Sequence, residues 1–342
     1  MLGATNARGM VMRNGSGPGR GGRLATLGCL AALMLVMAAP AVTAGHVGTL
    51  VAFDPAAFEF PEGIAADKTG NLYVSMPLLD QIRRIDQDGA QSVYAQLPSG
   101  AAPAGLKLNA DGTLYVAAGG FNLATGLTDP ATRGVYRVDW DGSAERLAGT
   151  GAILFPNDLT FDKRGNIYVT DTAGGKVYRV GTDGSVEQWA EGPLLEGTGA
   201  LGFGFPIGAN GIAFRHNELV VANPEKGLLA SIPIEPDGAA GELGVVAESA
   251  ALLGADGIAF DVHGDIYVGV NVQSTLVAVR TDGLIDTLAT AAEGLNQPST
   301  VAFGTGMGDR QTLFLVNLSI FVPAPTPGVL EVAAGVPGQP VP

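Results

Sequence analysis

The stretch from Asp256 to Val268, Asp-Gly-Ile-Ala-Phe-Asp-Val-His-Gly-Asp-Ile-Tyr-Val, reads as a short apolar strand, a tight turn and a second apolar strand. Five further copies surround it. Small-residue steps open them at Glu62-Gly, Ala104-Gly, Asn157-Asp, Asn210-Gly and Ser299-Thr. The second strands are Asn71-Leu-Tyr-Val, Thr113-Leu-Tyr-Val, Asn166-Ile-Tyr-Val, Glu218-Leu-Val-Val and Thr312-Leu-Phe-Leu. Openings are spaced by 42, 53, 53, 46 and 43 residues, the period of a four-stranded propeller blade. The pattern predicts an all-β, six-bladed β-propeller with four-stranded blades.

Turn chemistry fills in the blades. Asp-Gly pairs recur at Asp88-Gly89, Asp141-Gly142, Asp183-Gly184, Asp237-Gly238 and Asp282-Gly283. Between alternating strands such pairs mark hairpins, since both residues tolerate positive φ. A calcium-loop reading of these aspartates fails because the EF-hand spacing ending in Glu is missing. The last blade lacks a fourth strand after Gly328–Ala333, and Val47–Phe53 is the candidate to fill it, which would remove an exposed sheet edge. The predicted propeller spans residues 45–335, and the Pro-rich end 336–342 is expected to be a loose tail.

Residues 1–44 read as a secretory signal: Arg8, Arg13, Arg20 and Arg23 without an acid, an apolar run from Leu24 to Ala39, then Ala41-Val-Thr-Ala44. The run is short for a membrane span, which needs about 20 residues, and an uncleaved anchor is the alternative. No Arg-Arg pair supports twin-arginine export. The expected location is exported, periplasmic or extracellular. Cys29, the only cysteine, lies inside that run, so the mature chain has no disulfide, thiolate nucleophile or Cys-based zinc site. The whole chain holds 19 Lys and Arg against 33 Asp and Glu, and loss of the four leader arginines makes it more acidic still. That balance argues against nucleic acid and, after signal removal, against an anionic membrane as partners. A small-molecule substrate is the expected partner; the oligomeric state is left open.

Asymmetry within the repeat locates the chemistry. Connections on the face where the inner strands start are long: Gly119 to Arg133, Glu191 to Ala209 and Ser319 to Pro327. Long loops on a rigid scaffold commonly build binding sites. At that same face the opening residues Glu62, Asn157, Asn210 and Asp256 offer carboxylate and amide oxygens from four blades. Such a set suits a hard divalent cation, calcium before others, since calcium takes six to eight oxygen ligands in irregular geometry. Zinc prefers nitrogen or sulfur, and His46, His216 and His263 all fall outside the ring. Turn formation by Asn and Asp before Gly is the alternative reading, but it leaves Glu62 unexplained.

Glu-Gly, Asn-Asp, Asn-Gly and Asp-Gly at successive inner-strand starts resemble the gluconolactonase/regucalcin family of six-bladed propellers, and more distantly diisopropyl-fluorophosphatase and the paraoxonases. The resemblance covers about Val47 to Ala333. It implies that Glu62, Asn210 and Asp256 bind a catalytic calcium, that Asn157 contacts metal or substrate, and that Asp256 is the base or nucleophile of a lactone or ester hydrolase. One departure stands out. Where sugar-lactone hydrolases of this type commonly carry an arginine two residues before the Asn-Asp pair, this chain has Phe155. Phe205, in the loop Gly199 to Phe205, adds apolar cover, and both phenylalanines are expected to contact a more apolar substrate. Two other readings share the fold: a non-catalytic NHL-type binding propeller, suggested by Gly165-Asn-Ile-Tyr-Val-Thr-Asp171, and a strictosidine-synthase-like propeller without a catalytic metal.

Overall fold

The computed structural model describes residues 46–122, 127–340 and 342, so the expected signal segment 1–44 lies outside the described residues. Six antiparallel four-stranded sheets form the ring. The innermost strands are Ile64–Ala66, Pro103–Leu108, Pro156–Phe161, Ile212–Arg215, Ala255–Phe260 and Pro298–Phe303, each touching the next around the axis and the last touching the first. The sixth blade takes its outer strand from the start of the chain: Val47–Ala52 pairs antiparallel with Gly328–Ala333, Val47 opposite Val332 and Ala52 opposite Gly328. The expected closure is therefore present.

Alternation along the strands explains where the core sits. Successive side chains of a strand point to opposite faces, and each blade has a neighbour on both faces. The third residue of every copy, Ile64, Leu106, Leu159, Ile212, Ile258 and Val301, is at most 1% exposed. The core accordingly divides into six apolar clusters, one in each seam between adjacent blades. Each buried Leu or Ile contributes about 1.5–3 kcal/mol, so no blade can leave the ring without exposing two of these seams. The Asp-Gly pairs are turns, as expected: Gly89, Gly142, Gly184, Gly238 and Gly283 all have φ between 80° and 89°, and Asp141, Asp183, Asp237 and Asp282 each accept a backbone N–H two residues on.

The C-terminal segment departs from expectation. Instead of hanging loose, it is strapped across the far face of the ring. Val262 N–H donates to Pro337 O, Gly338 N–H to Arg310 O and Gln339 N–H to Phe260 O, while Gln339 Nε2 reaches Phe214 O. Its prolines leave few backbone donors, and the donors that remain find carbonyls on blades four, five and six. At Gly338 a Cβ would lie 2.2 Å from Phe303 Cβ, so only glycine lets the strap cross that ring.

Candidate functional site

A backbone irregularity repeated in all six blades creates the site. In four blades the pairing of the first and second strands slips at the opening residue: between Pro103 and Leu106, Pro156 and Leu159, Ala255 and Ile258, and Pro298 and Val301. In the other two, Ser75 is bracketed by Glu62 and Gly63, and Ala222 by Asn210 and Gly211. Each is a bulge, two residues opposite one, a device that re-aims a side chain. Glu62, Ala104, Asn157, Asn210, Asp256 and Ser299 are the first residues of these six bulges, so one mechanism turns all of them toward the channel mouth.

Glycine makes the ring tight. A Cβ on Gly63 would stand 2.3 Å from Ala104 O, on Gly105 2.4 Å from Asp158 Oδ1, on Gly211 2.1 Å from Asp256 O and on Gly257 2.7 Å from Thr300 Cα. Side-chain bonds staple the seams as well. Ser299 Oγ donates to Glu62 O at 2.7 Å, Ser75 Oγ to Ala104 O at 2.6 Å, and Ile212 N–H donates to Asp158 Oδ2 at 3.1 Å.

The four residues expected to hold a cation share this geometry. Glu62, Asn157 and Asp256 remain partly exposed toward the mouth, while Asn210 is buried. Glu62 Oε2 and Asn210 Oδ1 are buried oxygens without a hydrogen-bond partner, an arrangement that costs free energy unless a ligand or ion completes it. Burial, then the charges of Asp256 and Asp158, push the Glu62 carboxyl well above the usual carboxylate range, with Lys107 pulling the other way. Burial and the charge of Asp158 raise Asp256 likewise, opposed by the Asn210 side chain. Glu62, Asn210, Asp256 and Asp158 thus form one electrostatic unit.

Asp158 was missed in the sequence reading. It occupies the position that glycine holds in four other copies. Its side chain is 3% exposed and is already committed to backbone N–H groups of Leu159 and Ile212. The unit therefore holds three carboxylates, one of which serves the seam. Among the described residues no group of three or more His, Cys, Asp and Glu is placed to hold a metal by itself; the donor set needs its amides. All its donors are oxygen, two are orphaned, and its carboxylates repel one another. These are the properties a hard divalent cation satisfies.

Above the ring lies an aromatic rim. Phe155 and Phe205 are brought together with ring centroids 5.7 Å apart, and Phe121 joins both at 5.8 and 6.0 Å. Phe121, from the long loop of blade two, sits in irregular sequence that gave no signal. Phe203 meets Phe321 from the sixth blade at 5.5 Å, both partly exposed. The supports for this rim are buried acids. Asp171, at the end of its strand, accepts N–H bonds from Leu154 and Phe155 at 3.0 Å. Glu225 accepts N–H bonds from Thr198, Gly199 and Leu201; despite burial, which raises it, these bonds hold its carboxyl below the usual range. Gly119 leaves room for the Phe155 ring, since a Cβ there would stand 2.6 Å from Phe155 Cε2.

A β-propeller repeat family matches residues 144–175, and no protein with a curated description matches the chain. Solved structures match over most of its length. A luciferin-regenerating enzyme shares 15% identity over 86% of this chain and 97% of its own, with a TM-score of 0.65. Regucalcin from Agrobacterium tumefaciens, described as a calcium-binding protein, shares 17% over 88% and 97%, TM-score 0.63. A gluconolactonase from Xanthomonas campestris shares 19% over 86% and 92%, TM-score 0.61. At these identities the likeness is one of fold: the chain has the six-bladed propeller of the gluconolactonase and regucalcin structures.

Proposed function

We propose that this protein is an exported, cation-dependent hydrolase of small lactones or esters whose substrate carries an apolar body. The observation that carries the reading is the pair of orphaned oxygens, Glu62 Oε2 and Asn210 Oδ1, set among mutually repelling carboxylates at the channel mouth. Gluconolactonase structures with the same fold support the reaction class, and a calcium-binding relative in fold supports the ion. Glu62, Asn210 and Asp256 would hold the cation, with Asn157 on it or on the substrate. When bound, calcium or another hard divalent ion supplies polarisation of the substrate carbonyl and a counter-charge to the ring.

The chain's own residues do the rest. With the ring neutralised, the Asp256 carboxylate is ionised and accepts a proton from water as the water oxygen bonds to the acyl carbon. That proton passes to the departing alkoxide oxygen as the acyl C–O bond breaks, which restores Asp256. Attack by Asp256 itself, followed by hydrolysis of the acyl-enzyme, gives the same products. Phe121, Phe155 and Phe205 present an apolar wall where an arginine would grip a polar sugar acid, so they favour an acyl or alkyl group without hydroxyls.

The test pairs calcium titration calorimetry of the purified protein with a panel of aryl esters and of aliphatic and sugar lactones. Calcium-dependent turnover that prefers the apolar substrates supports the reading. Equal turnover in chelator, or no heat on calcium addition, sinks it.

A further inference from the structure

Below the carboxylate ring the same six strands carry a second ring. Three residues past each opening stand Ala65, Lys107, Thr160, Ala213, Ala259 and Ala302. Five are small and one is a lysine. All six line a single cavity of about 860 Å³ that runs from beneath the ring to the far face. Its walls are mixed: Ile64, Leu108, Phe214, Phe260, Val301 and Phe303 are apolar, Asp67, Lys68, Asp111 and Arg310 are charged, and the C-terminal strap at Pro337–Pro340 forms part of its outer edge.

Lys107 is the exception in this lumen. It is half-buried, and among the described residues it makes no ion pair and no side-chain hydrogen bond. Its charge is felt by Glu62 above it, but no carboxylate lies within ion-pair distance of it. A half-buried ammonium without a partner is costly, and the five small neighbours leave the space in front of it open. The volume falls in the range of small-molecule sites, about 300–1,000 Å³.

We propose that the lower channel is a second binding site, for small anionic amphiphiles with a carboxylate on an apolar chain, and that Lys107 receives the headgroup. The apolar tail lies along Phe214, Phe260 and Phe303 toward the strap. The Asp67 and Asp111 carboxylates that also line the cavity are engaged by Thr69, Asn71 and Thr113, so the uncommitted charge of the lower ring is that of Lys107. The site is separate from the aromatic rim and does not depend on the hydrolase reading.

Decanoate is the probe, titrated calorimetrically into the purified protein in chelator, with decanol as the uncharged control. Decanoate should bind, and Lys107→Met should weaken it about tenfold or more, the size of one charge-assisted bond. Lys107→Arg should restore most of the affinity. Ala213→Phe, which fills the lumen but keeps the lysine, should weaken binding as well, whereas Phe205→Ala at the other mouth should leave it unchanged. The proposal is overturned if decanoate does not bind at millimolar concentration, if decanol binds equally well, or if Phe205→Ala is the variant that loses binding. It is overturned too if Lys107→Met alters only the calcium affinity, which would make Lys107 a counter-charge to the carboxylates above it.

Discussion

The two rings on the innermost strands are built on opposite terms. In the upper ring every strand bulges, glycine in four copies lets neighbouring backbones approach to contact, and four of the six re-aimed side chains are charged or amide-bearing. In the lower ring the strands run regularly, the side chains other than Lys107 are small, and the space they leave is a cavity. One repeat position thus concentrates negative charge while another, three residues on, clears a lumen. The difference teaches that in a cyclic repeat the backbone irregularity decides which position can act on a ligand, and the side chains then decide what kind.

Removing the key group from the upper ring should have the largest effect. Asp256→Ala should lower ester turnover at least about 100-fold while circular dichroism and the unfolding midpoint stay near wild type; retained turnover would detach chemistry from the bulges. Gly211→Ala attacks the geometry instead, since the new Cβ would meet Asp256 O at 2.1 Å. It should cost about 2–4 kcal/mol in urea unfolding and weaken calcium binding, whereas the lower ring's Ala259→Ser should do neither.

Glu225→Ala releases the loop that carries Phe203 and Phe205. It should cost about 1–3 kcal/mol and speed hydrogen exchange at the Thr198, Gly199 and Leu201 amides. Unchanged exchange there would show that the rim is held by its aromatic contacts alone.

The charge contrast predicts a pH dependence. In chelator, Glu62 and Asp256 titrate above their ordinary values of 4.5 and 3.8. The folded state therefore holds those protons more tightly than the unfolded chain. Their stabilising contribution is full below the ordinary values and is lost as pH rises through the raised ones. A Glu62→Gln, Asp256→Asn double variant should gain on wild type as pH rises past the ordinary carboxylate range, by about 2 °C or more in unfolding midpoint at pH 8. A pH-independent difference would mean that neither burial nor the neighbouring charges raise these carboxyls.

The smallest effect belongs to the rim: Phe121→Ala should raise KM for an apolar ester about threefold to tenfold with kcat little changed, in line with the worth of an aromatic contact. A fall in kcat alone would move Phe121 from binding to chemistry.

Repetition is why so much of this was legible. Six copies of one strand-turn-strand unit dictate blades, and a closed ring of blades dictates that equivalent residues meet at the axis, so Glu62, Asn210 and Asp256 could be placed together from spacing alone. What lay outside the repeat was harder to place. Asp158 took a glycine's position, and the spacing alone assigned it no role. Phe121 lies in a loop without periodicity, where aromatic contacts are set by tertiary packing. The strap at Val336–Gln339 resembled a loose end because prolines suppress regular pairing, although its few N–H groups find carbonyls across three blades.

The pairing of Val47 with Val332 also sets a timetable. A ribosome that has released the first five blades has produced an open arc, with the sixth sheet unmade and two seams bare. Ring completion must join positions almost 300 residues apart, a contact of the kind that slows folding and leaves the incomplete chain prone to association. A nascent chain of this protein therefore stays incompletely assembled, and available to chaperones, until the strand Gly328–Ala333 has been made.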